Sequence, residues 1–240
     1  MNSLIIYKSK YNKVRLGSDS DGGYVVADID GYDALFSCGI NDDVSFENAF
    51  LNKHDVVCYS YDGTIERLPD GAHRSIQFVK LNIGADNTVT TTDLDAETSA
   101  YSNIFLKMDI ESHEFRWLNS VSKDFLLRFK QIVMEFHLPF TNQDYTGRGY
   151  DIDMPIMDKV GVFQKLASTH TLIHLHANNC CGMTTYKGVA CPNVFECTFV
   201  RKDVQDGGLL NDVNLPTRLD SKNLNRFNDI SLRWAPFVNK

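Results

Sequence analysis

Seven short hydrophobic runs are spread along the chain, each rich in β-branched or aromatic residues and each ending in polar residues or glycine. Most are continuous apolar runs rather than strict alternations of apolar and polar residues. That pattern is typical of strands buried on both faces of a mostly parallel sheet. The predicted strands cover residues 33–39, 56–62, 76–84, 103–111, 131–138, 171–178 and 194–202.

Helical spacing of apolar residues occurs between several of these runs. Segments 43–54, 114–130 and 154–169 carry apolar residues three and four positions apart, and Asp43 is a candidate N-cap of the first. Alternating strands and helices predict an α/β fold with a Rossmann-like, seven-stranded, mostly parallel sheet and helices on both faces. The last two strands are joined without an obvious helix, so we expect the last strand to be antiparallel.

The chain length and charge narrow the possible functions. The 240 residues suit one domain, and 24 basic against 31 acidic residues give a net charge of −7. This balance argues against a general nucleic-acid or anionic-membrane binder, which needs a basic face. No run approaches the ~20 apolar residues of a membrane span. A homo-oligomer is compatible with these features.

The cysteines and the N-terminus favour a cytoplasmic, reduced protein. Six cysteines are too few for a disulfide framework in a chain of this length, and they lack the paired C-x2-C spacing of strong zinc sites. The N-terminal "MNSLIIYKSK" has a short apolar patch but no small-residue cleavage site, so we expect no secretory signal.

Two residues at predicted strand ends suggest a cofactor site, because ligands of open α/β sheets bind at the carboxyl ends of the strands. Gly39 ends the first strand, and Asp62 ends the second, where a carboxylate of nucleotide-binding folds bonds ribose hydroxyls. A single glycine followed by Asp42 and Asp43 suits a pyrophosphate poorly. S-adenosylmethionine, with a ribose, no phosphate and a net positive charge, fits better. The alternative is that Gly39 is an ordinary turn and Asp62 a surface residue.

Several motifs resemble the FkbM-type family of S-adenosylmethionine-dependent methyltransferases. The resemblance runs from about residue 15 to about residue 202, and Ser112 departs from it because many relatives have glycine in D-x-E-G-x-E. The motifs are "RLGSDSDGGYVV" (15–26), "FSCGINDDVSFE" (36–47), "YSYDGT" (59–64), "LKMDIESHEFRWL" (106–118), "QIVMEFH" (131–137), "LIHLHANNC" (172–180) and "PNVFECTFVRK" (192–202).

The resemblance implies which residues hold the cofactor. The segment around Gly39 would pass under its methionine part, Asp62 would bind its ribose and Asp86 its adenine. Residues 1–30 would cap the site. The cofactor-binding residues expected in this way are Asp21, Gly22, Gly23, Tyr24, Cys38, Gly39, Ile40, Asn41, Asp62, Asp86 and Asp109.

Methyl transfer to a hydroxyl also requires help in removing the hydroxyl proton. Glu135 and His137 share one strand face, and Asp109 and His176 end other predicted strands, so we expect these four to converge on one pocket. One hypothesis is that they hold a divalent metal, with manganese, iron or zinc suiting this ligand set better than magnesium. The other is that His137 or His176 acts as a general base oriented by Asp109 or Glu135. The remaining strand histidine, His174, is expected in the core.

These observations favour an O-methyltransferase that uses S-adenosylmethionine and acts on a small polar acceptor. The leading expectation for the acceptor is a sugar or nucleotide-linked sugar of a surface glycan or secondary metabolite. The polar segment 145–153 is a candidate substrate lid. The alternatives are an N-methyltransferase or other-acceptor methyltransferase of the same fold, and, from a different class, a nucleotide-binding oxidoreductase or a non-catalytic binding module. The single glycine at 39 argues against a dehydrogenase.

Overall fold

A seven-stranded sheet forms the centre of the molecule in a computed structural model that describes residues 1–144, 147 and 149–239. Its strands are β3 Ala34–Cys38, β4 Val57–Tyr61, β5 Ile76–Val79, β8 Ile104–Met108, β9 Phe129–His137, β10 His170–Ala177 and β13 Val194–Arg201. Their spatial order is β10, β13, β9, β8, β3, β4 and β5.

Only β13 runs against the direction of the other central strands. The pairs β3–β4, β3–β8, β4–β5 and β8–β9 are parallel, whereas β13 pairs antiparallel with both β9 and β10. The chain between β10 and β13 holds a hairpin and no helix, so it cannot carry β13 back to the start of a parallel strand. The predicted fold class, including the antiparallel last strand, is confirmed.

In the part of the chain that the structure describes, three two-stranded ladders lie outside the central sheet. They are β1 with β2, β6 with β7 and β11 with β12. Their bounds are β1 Lys13–Leu16, β2 Tyr24–Ala27, β6 Asn82–Ile83, β7 Thr91–Thr92, β11 Met183–Tyr186 and β12 Val189–Pro192. The single run predicted over 76–84 is therefore wrong as one strand, because the chain leaves the central sheet after Val79 and resumes pairing elsewhere at Asn82.

The described residues form five α-helices around the sheet, after a short 3-10 turn at Asn2–Leu4. They are α1 Ser45–Lys53, α2 Asp95–Thr98, α3 Glu114–Ser120, α4 Lys123–Leu126 and α5 Ile156–Thr169. The N-cap position of α1 is Val44 rather than the expected Asp43, although the Asp43 carboxylate accepts the Ser45 N–H at 2.7 Å.

The helix predicted over 114–130 is two helices followed by a strand. Val121 is extended, and the Ser122 hydroxyl accepts the Phe125 N–H at 3.0 Å, which starts α4 as a new helix. A serine in the middle of a helical pattern competes for backbone hydrogen bonds and so favours a cap. The aromatic Phe129 then begins β9.

The core lies on both faces of the sheet. One cluster contains Phe36, Phe115 and Phe136, and a second contains Phe46 and Phe105. Side chains alternate between the two faces along a strand, so Phe136 enters the first cluster while its neighbours point to the opposite face. The polar residues at the carboxyl ends of the strands are thus supported by packed aromatic layers.

Two further features concern the cysteines and the membrane. Cys180 and Cys181 form a disulfide between adjacent residues, so the expectation of a fully reduced chain is wrong at this pair. The other four cysteines are buried thiols. Among the residues that the structure describes, no helix combines the length and the apolar character needed to cross a bilayer.

Candidate active site

A cavity of about 700 Å³ opens at the carboxyl ends of β3, β4 and β8. Six acidic residues contribute to its lining, and Lys107 is a basic residue there. The acidic residues are Asp21, Asp42, Asp43, Asp62, Asp109 and Glu111. The ammonium of Lys107 is already engaged, because it donates to the Gly39 carbonyl. The cavity therefore presents an acidic surface to a ligand.

Gly39 forms part of the floor, where β3 and β8 come close together. Its φ is +81°, and a Cβ at this position would lie 1.7 Å from the backbone oxygen of Asp109. The Gly39 N–H donates to the Tyr61 carbonyl at 2.9 Å, and the Asp109 N–H donates to the Cys38 carbonyl at 2.9 Å. Only glycine fits here without moving the backbone.

Asp62 lies in the lining, but its carboxylate is already bonded within the protein. Oδ2 accepts the N–H groups of Ile40 and Asn41 at 2.9 and 2.8 Å. Oδ1 accepts the Thr64 N–H and hydroxyl at 2.8 and 2.5 Å. Although burial opposes it, these hydrogen bonds lower the pKa of Asp62. Asp62 thus links the loops that follow β3 and β4.

The segment ahead of β2 contributes to the same cavity. Asp21, Gly22 and Tyr24 line it, and the Tyr24 hydroxyl donates to Asp109 Oδ2 at 3.3 Å. Gly23 does not line it, because its Cα lies against backbone, with the Ser18 carbonyl oxygen 2.0 Å from where a Cβ would be.

Two other residues expected at the cofactor lie away from the cavity. The Cys38 side chain is fully buried in the hydrophobic core and does not line the cavity. Asp86 is exposed in the turn between β6 and β7, where its carbonyl accepts the Thr91 hydroxyl at 2.8 Å. Asn82, Gly84 and Thr91 line the cavity instead. The sequence could not show that the chain returns after β6 so that β7 pairs with it in parallel.

Beside the cavity, the structure brings Asp109, Glu135 and His137 together. One ligand atom from each lies within 4.8 Å of the other two. His137 Nε2 is 3.9 Å from both Asp109 Oδ1 and Glu135 Oε2, and 3.6 Å from Glu111 Oε2. These distances are too long for hydrogen bonds but suit oxygen and nitrogen atoms that share one cation. Asp109 Oδ1 is buried without a hydrogen-bond partner among the described residues.

Glu114 orients the imidazole of His137. Its Oε1 lies 3.0 Å from His137 Nδ1 and also accepts the N–H groups of Ile110 and Ser112, each at 3.2 Å. A carboxylate on one ring nitrogen leaves the other nitrogen directed at the Asp109 side, as in carboxylate–histidine–metal arrangements. Burial lowers the pKa of His137, but Glu114 and Asp109 outweigh it and raise that pKa to about 9. Sequence reasoning missed Glu114, although it ends the K-M-D-I-E-x-x-E motif.

Glu135 is the third member of this group. Its pKa is raised, first by burial and then by the charges of Asp109, Glu196 and Asp21. The Asn178 amide donates to its Oε1 at 2.8 Å. A second buried acid, Glu196, lies directly across from Glu135 in the β9–β13 register.

His176 does not join the group, and its predicted convergence with Asp109, Glu135 and His137 is wrong. β13 lies between β9 and β10, so His176 pairs with Glu196 rather than with Glu135. Its ring nitrogens lie 3.4 Å from Glu196 Oε2 and 3.3 Å from Asp229 Oδ1.

Two other histidines, His174 and His170, are buried. His174 is buried and bonds Asp220 Oδ1 at 2.7 Å, as expected of a core residue. His170, at the start of β10, is also buried. Its Nε2 lies 2.8 Å from the Phe129 carbonyl oxygen, and burial lowers its pKa to about 4.

The candidate lid over 145–153 is only partly described, since residues 145, 146 and 148 lie outside the described residues. Of the rest, the Tyr150 ring packs on the His137 ring with centroids 4.7 Å apart. Tyr150 belongs to a small apolar cluster with Leu138 and Val194, and the Cys180–Cys181 pair packs against this cluster.

The sequence profile of one protein family, the methyltransferase FkbM domain, matches residues 24–165, which is more than half of the chain. The chain belongs to the FkbM methyltransferase family. The match includes Gly39, Asp62 and the Asp109–Glu135–His137 group. The cavity lining therefore lies within the FkbM domain except for Asp21 and Gly22, which precede it. No curated protein matches the chain.

Several solved structures are similar to this FkbM family member at low sequence identity. A protein described as a hemolysin from Streptococcus thermophilus is 12% identical, with a TM-score of 0.42 over 80% of this chain and 65% of that chain. One described as a hemolysin from Lactococcus lactis is 13% identical, with a TM-score of 0.42 over 75% and 82%. A bacterial Hen1 methyltransferase domain is 13% identical, with a TM-score of 0.37 over 70% and 90%. The chain thus spans less than two thirds of the first of these proteins.

Proposed function

We propose that this protein transfers the methyl group of S-adenosylmethionine to a hydroxyl of a small polar acceptor, a sugar or nucleotide-linked sugar. The observation that supports this most directly is the position of Asp109. Its carboxylate lines the acidic cavity and also belongs to the group with Glu135 and His137. Asp109 would therefore belong both to the cofactor site and to the site that removes the acceptor proton.

The properties of the cavity fit S-adenosylmethionine. Its volume of about 700 Å³ lies within the usual range for small-molecule sites. The acidic lining suits a ligand that carries a sulfonium and an ammonium and has no phosphate. Because the Asp62 carboxylate is bonded to Ile40, Asn41 and Thr64, we propose that it shapes the loop that receives the ribose.

The group beside the cavity fits a divalent cation, which supports the metal hypothesis over the general base for hydroxyl activation. Asp109, Glu135 and His137 would hold the ion, and Glu114 would orient His137 from behind. The unpartnered, buried Asp109 Oδ1 is the feature that a cation would satisfy. A mixed set of two carboxylates and one imidazole suits manganese, iron or zinc. Such an ion would make an acceptor hydroxyl more acidic.

Residues of the chain would position the acceptor and close the site. With S-adenosylmethionine bound in the cavity, the acceptor hydroxyl would lie at Asp109. Its oxygen would form the new bond to the methyl carbon as the carbon–sulfur bond breaks, so that S-adenosylhomocysteine leaves and the hydroxyl proton is released to solvent. Tyr24 holds Asp109 through its hydroxyl and closes the cavity from the N-terminal side. Tyr150 covers the outer face of His137 and limits the access of water.

Calorimetry tests the cofactor assignment. Wild-type protein is titrated with S-adenosylmethionine, S-adenosylhomocysteine and NAD. We expect the first two to bind at micromolar concentrations and NAD not to bind. Binding of NAD alone would identify a nucleotide-binding protein of another class.

The acceptor class is tested separately, with labelled S-adenosylmethionine and panels of nucleotide-linked sugars, free sugars and amines. Mass spectrometry of the product then locates the methyl group. Methylation of nitrogen but not of oxygen would overturn the proposed O-methyl transfer and leave the cofactor assignment standing.

A further inference from the structure

The turn that follows β8 has an unusual backbone at two consecutive residues. Glu111 has a φ of +51° and Ser112 a φ of +83°. Residues other than glycine are disfavoured at positive φ. Such a strained conformation persists only where the surrounding structure holds the residue in place. Ser112 is also 2% exposed, so its hydroxyl faces the protein interior.

Ser112 makes two hydrogen bonds that help to hold it in this unfavourable backbone conformation. Its N–H donates to Glu114 Oε1 at 3.2 Å. Its hydroxyl oxygen accepts the Asp151 N–H at 2.6 Å, across a separation of 39 residues. The first contact is available to any residue in this turn, whereas the second requires a side-chain oxygen.

Both contacts lead to His137. Glu114 Oε1 lies 3.0 Å from His137 Nδ1, and Tyr150, the residue before Asp151, places its ring 4.7 Å from the His137 ring. The hydroxyl of Ser112 thus holds the backbone next to the aromatic ring that covers His137. A glycine at 112 would relax the turn but release this segment.

We propose that Ser112 is a positioning residue, whose hydroxyl holds the segment at Asp151 so that Tyr150 stays packed on His137. This rests on the proposed function, in which His137 serves the acceptor side of the site. The unfavourable backbone at Ser112 is retained because its hydroxyl, through Tyr150, fixes one face of the His137 ring. Glu114 fixes a nitrogen of the same ring.

Histidine ring signals in NMR spectra report this packing directly and require no metal. The His137 signals are identified by their loss in His137→Gln and recorded in wild type, Tyr150→Leu and Ser112→Gly. We expect Ser112→Gly to shift them in the same direction as Tyr150→Leu, because both remove the ring current of Tyr150. The signals of His170, on the far end of the sheet, serve as the internal control. Unchanged His137 signals in a folded Ser112→Gly would overturn the proposal.

A second measurement separates positioning from a purely structural role. Ser112→Gly loses the hydroxyl but relaxes the backbone, whereas Ser112→Ala loses the hydroxyl and keeps the strain. We expect both to weaken Mn²⁺ binding about tenfold, as is typical when an outer partner of a metal ligand is lost. Only Ser112→Ala should show a clearly lower melting temperature. S-adenosylhomocysteine affinity should stay within about twofold of wild type in both variants, since Ser112 is not part of the cavity lining.

The double variant Ser112→Gly/Tyr150→Leu completes the test. If Ser112 acts through Tyr150, the double variant binds Mn²⁺ no more weakly than Tyr150→Leu alone. Fully additive losses would contradict the proposal. If wild type binds no Mn²⁺ while S-adenosylhomocysteine binds, the metal part of the proposed function fails and the NMR comparison decides the role of Ser112.

Discussion

The Asp62 carboxylate accepts the backbone N–H of Asn41, with Oδ2 and the amide nitrogen 2.8 Å apart. The same oxygen accepts the Ile40 N–H, so one side chain at the end of β4 fixes the loop that follows β3. The loop is therefore held in shape by the protein itself. A ligand that enters the cavity meets a backbone that is already arranged, which reduces the entropy lost on binding.

Asp62→Ala should consequently impair both stability and cofactor binding. Loss of the carboxylate leaves three backbone N–H donors, those of Ile40, Asn41 and Thr64, and the Thr64 hydroxyl without this partner. The expected cost is about 2–4 kcal/mol in the free energy of unfolding. S-adenosylhomocysteine should bind more than about tenfold more weakly, equivalent to about 1.4 kcal/mol. Denaturant unfolding and calorimetry measure the two effects. Asp70→Ala, at an exposed aspartate, is the control, and an Asp62→Ala protein with wild-type affinity would contradict the role of the loop.

Gly39→Ala should be far more disruptive than Gly71→Ala. Both glycines have positive φ, +81° and +85°, so alanine strains the backbone equally at either position. At Gly39 a Cβ would also lie 1.7 Å from the Asp109 carbonyl oxygen, whereas at Gly71 no atom lies within 4 Å. We expect Gly71→Ala to cost about 1 kcal/mol and Gly39→Ala to yield little folded protein. Expression and thermal melting compare them, and similar melting temperatures would show that β3 and β8 are not in close contact there.

His137→Ala should abolish metal binding, and His176→Ala should not. His137 offers Nε2 to the group with Asp109 and Glu135, while His176 is bonded to Glu196 and Asp229. Loss of a direct ligand should weaken Mn²⁺ binding by more than about 100-fold, the upper end of the effect seen for outer partners. Both variants are titrated with Mn²⁺ and Zn²⁺ after removal of bound metal. If wild type is active without metal and His137→Ala is inactive, His137 acts as a general base instead.

Acid should destabilise the protein through His170 in the range between its two pKa values. Burial lowers the pKa of His170 to about 4 in the folded state, below the value near 6.5 of an exposed histidine. The unfolded chain therefore binds the proton more readily, and the contribution to stability, complete above pH ~6.5, falls as the pH drops towards 4. The loss is on the order of 3 kcal/mol.

His170→Gln tests this assignment, because glutamine can still donate to the Phe129 carbonyl and does not titrate. Urea unfolding between pH 4 and 7 should show a shallower dependence on pH in this variant than in wild type. Burial also lowers the pKa of His174. Its contribution to the pH dependence is the same in both proteins and so cancels in the comparison. An unchanged slope would place the acid sensitivity elsewhere.

The sequence by itself determined the elements that follow local pattern. Continuous apolar runs predicted the central strands because both faces of a parallel sheet are covered, and the short link before residue 194 predicted the antiparallel strand. Gly39 and Asp62 were found at the cavity because strand ends carry ligands in this architecture, and the likeness to the FkbM family located the acidic motif around Asp109.

The tertiary structure alone decided which strand ends are neighbours. His176 was expected beside His137, but β13 lies between β9 and β10 and places Glu196 there instead. Asp86 and Cys38 lie away from the cavity, because the path of the turn after β6 and the packing of β3 depend on residues distant in the chain. The contacts of Ser112 and Glu114 with the His137 region likewise join distant segments. Local propensity specifies elements, whereas long-range packing selects the side chains that meet.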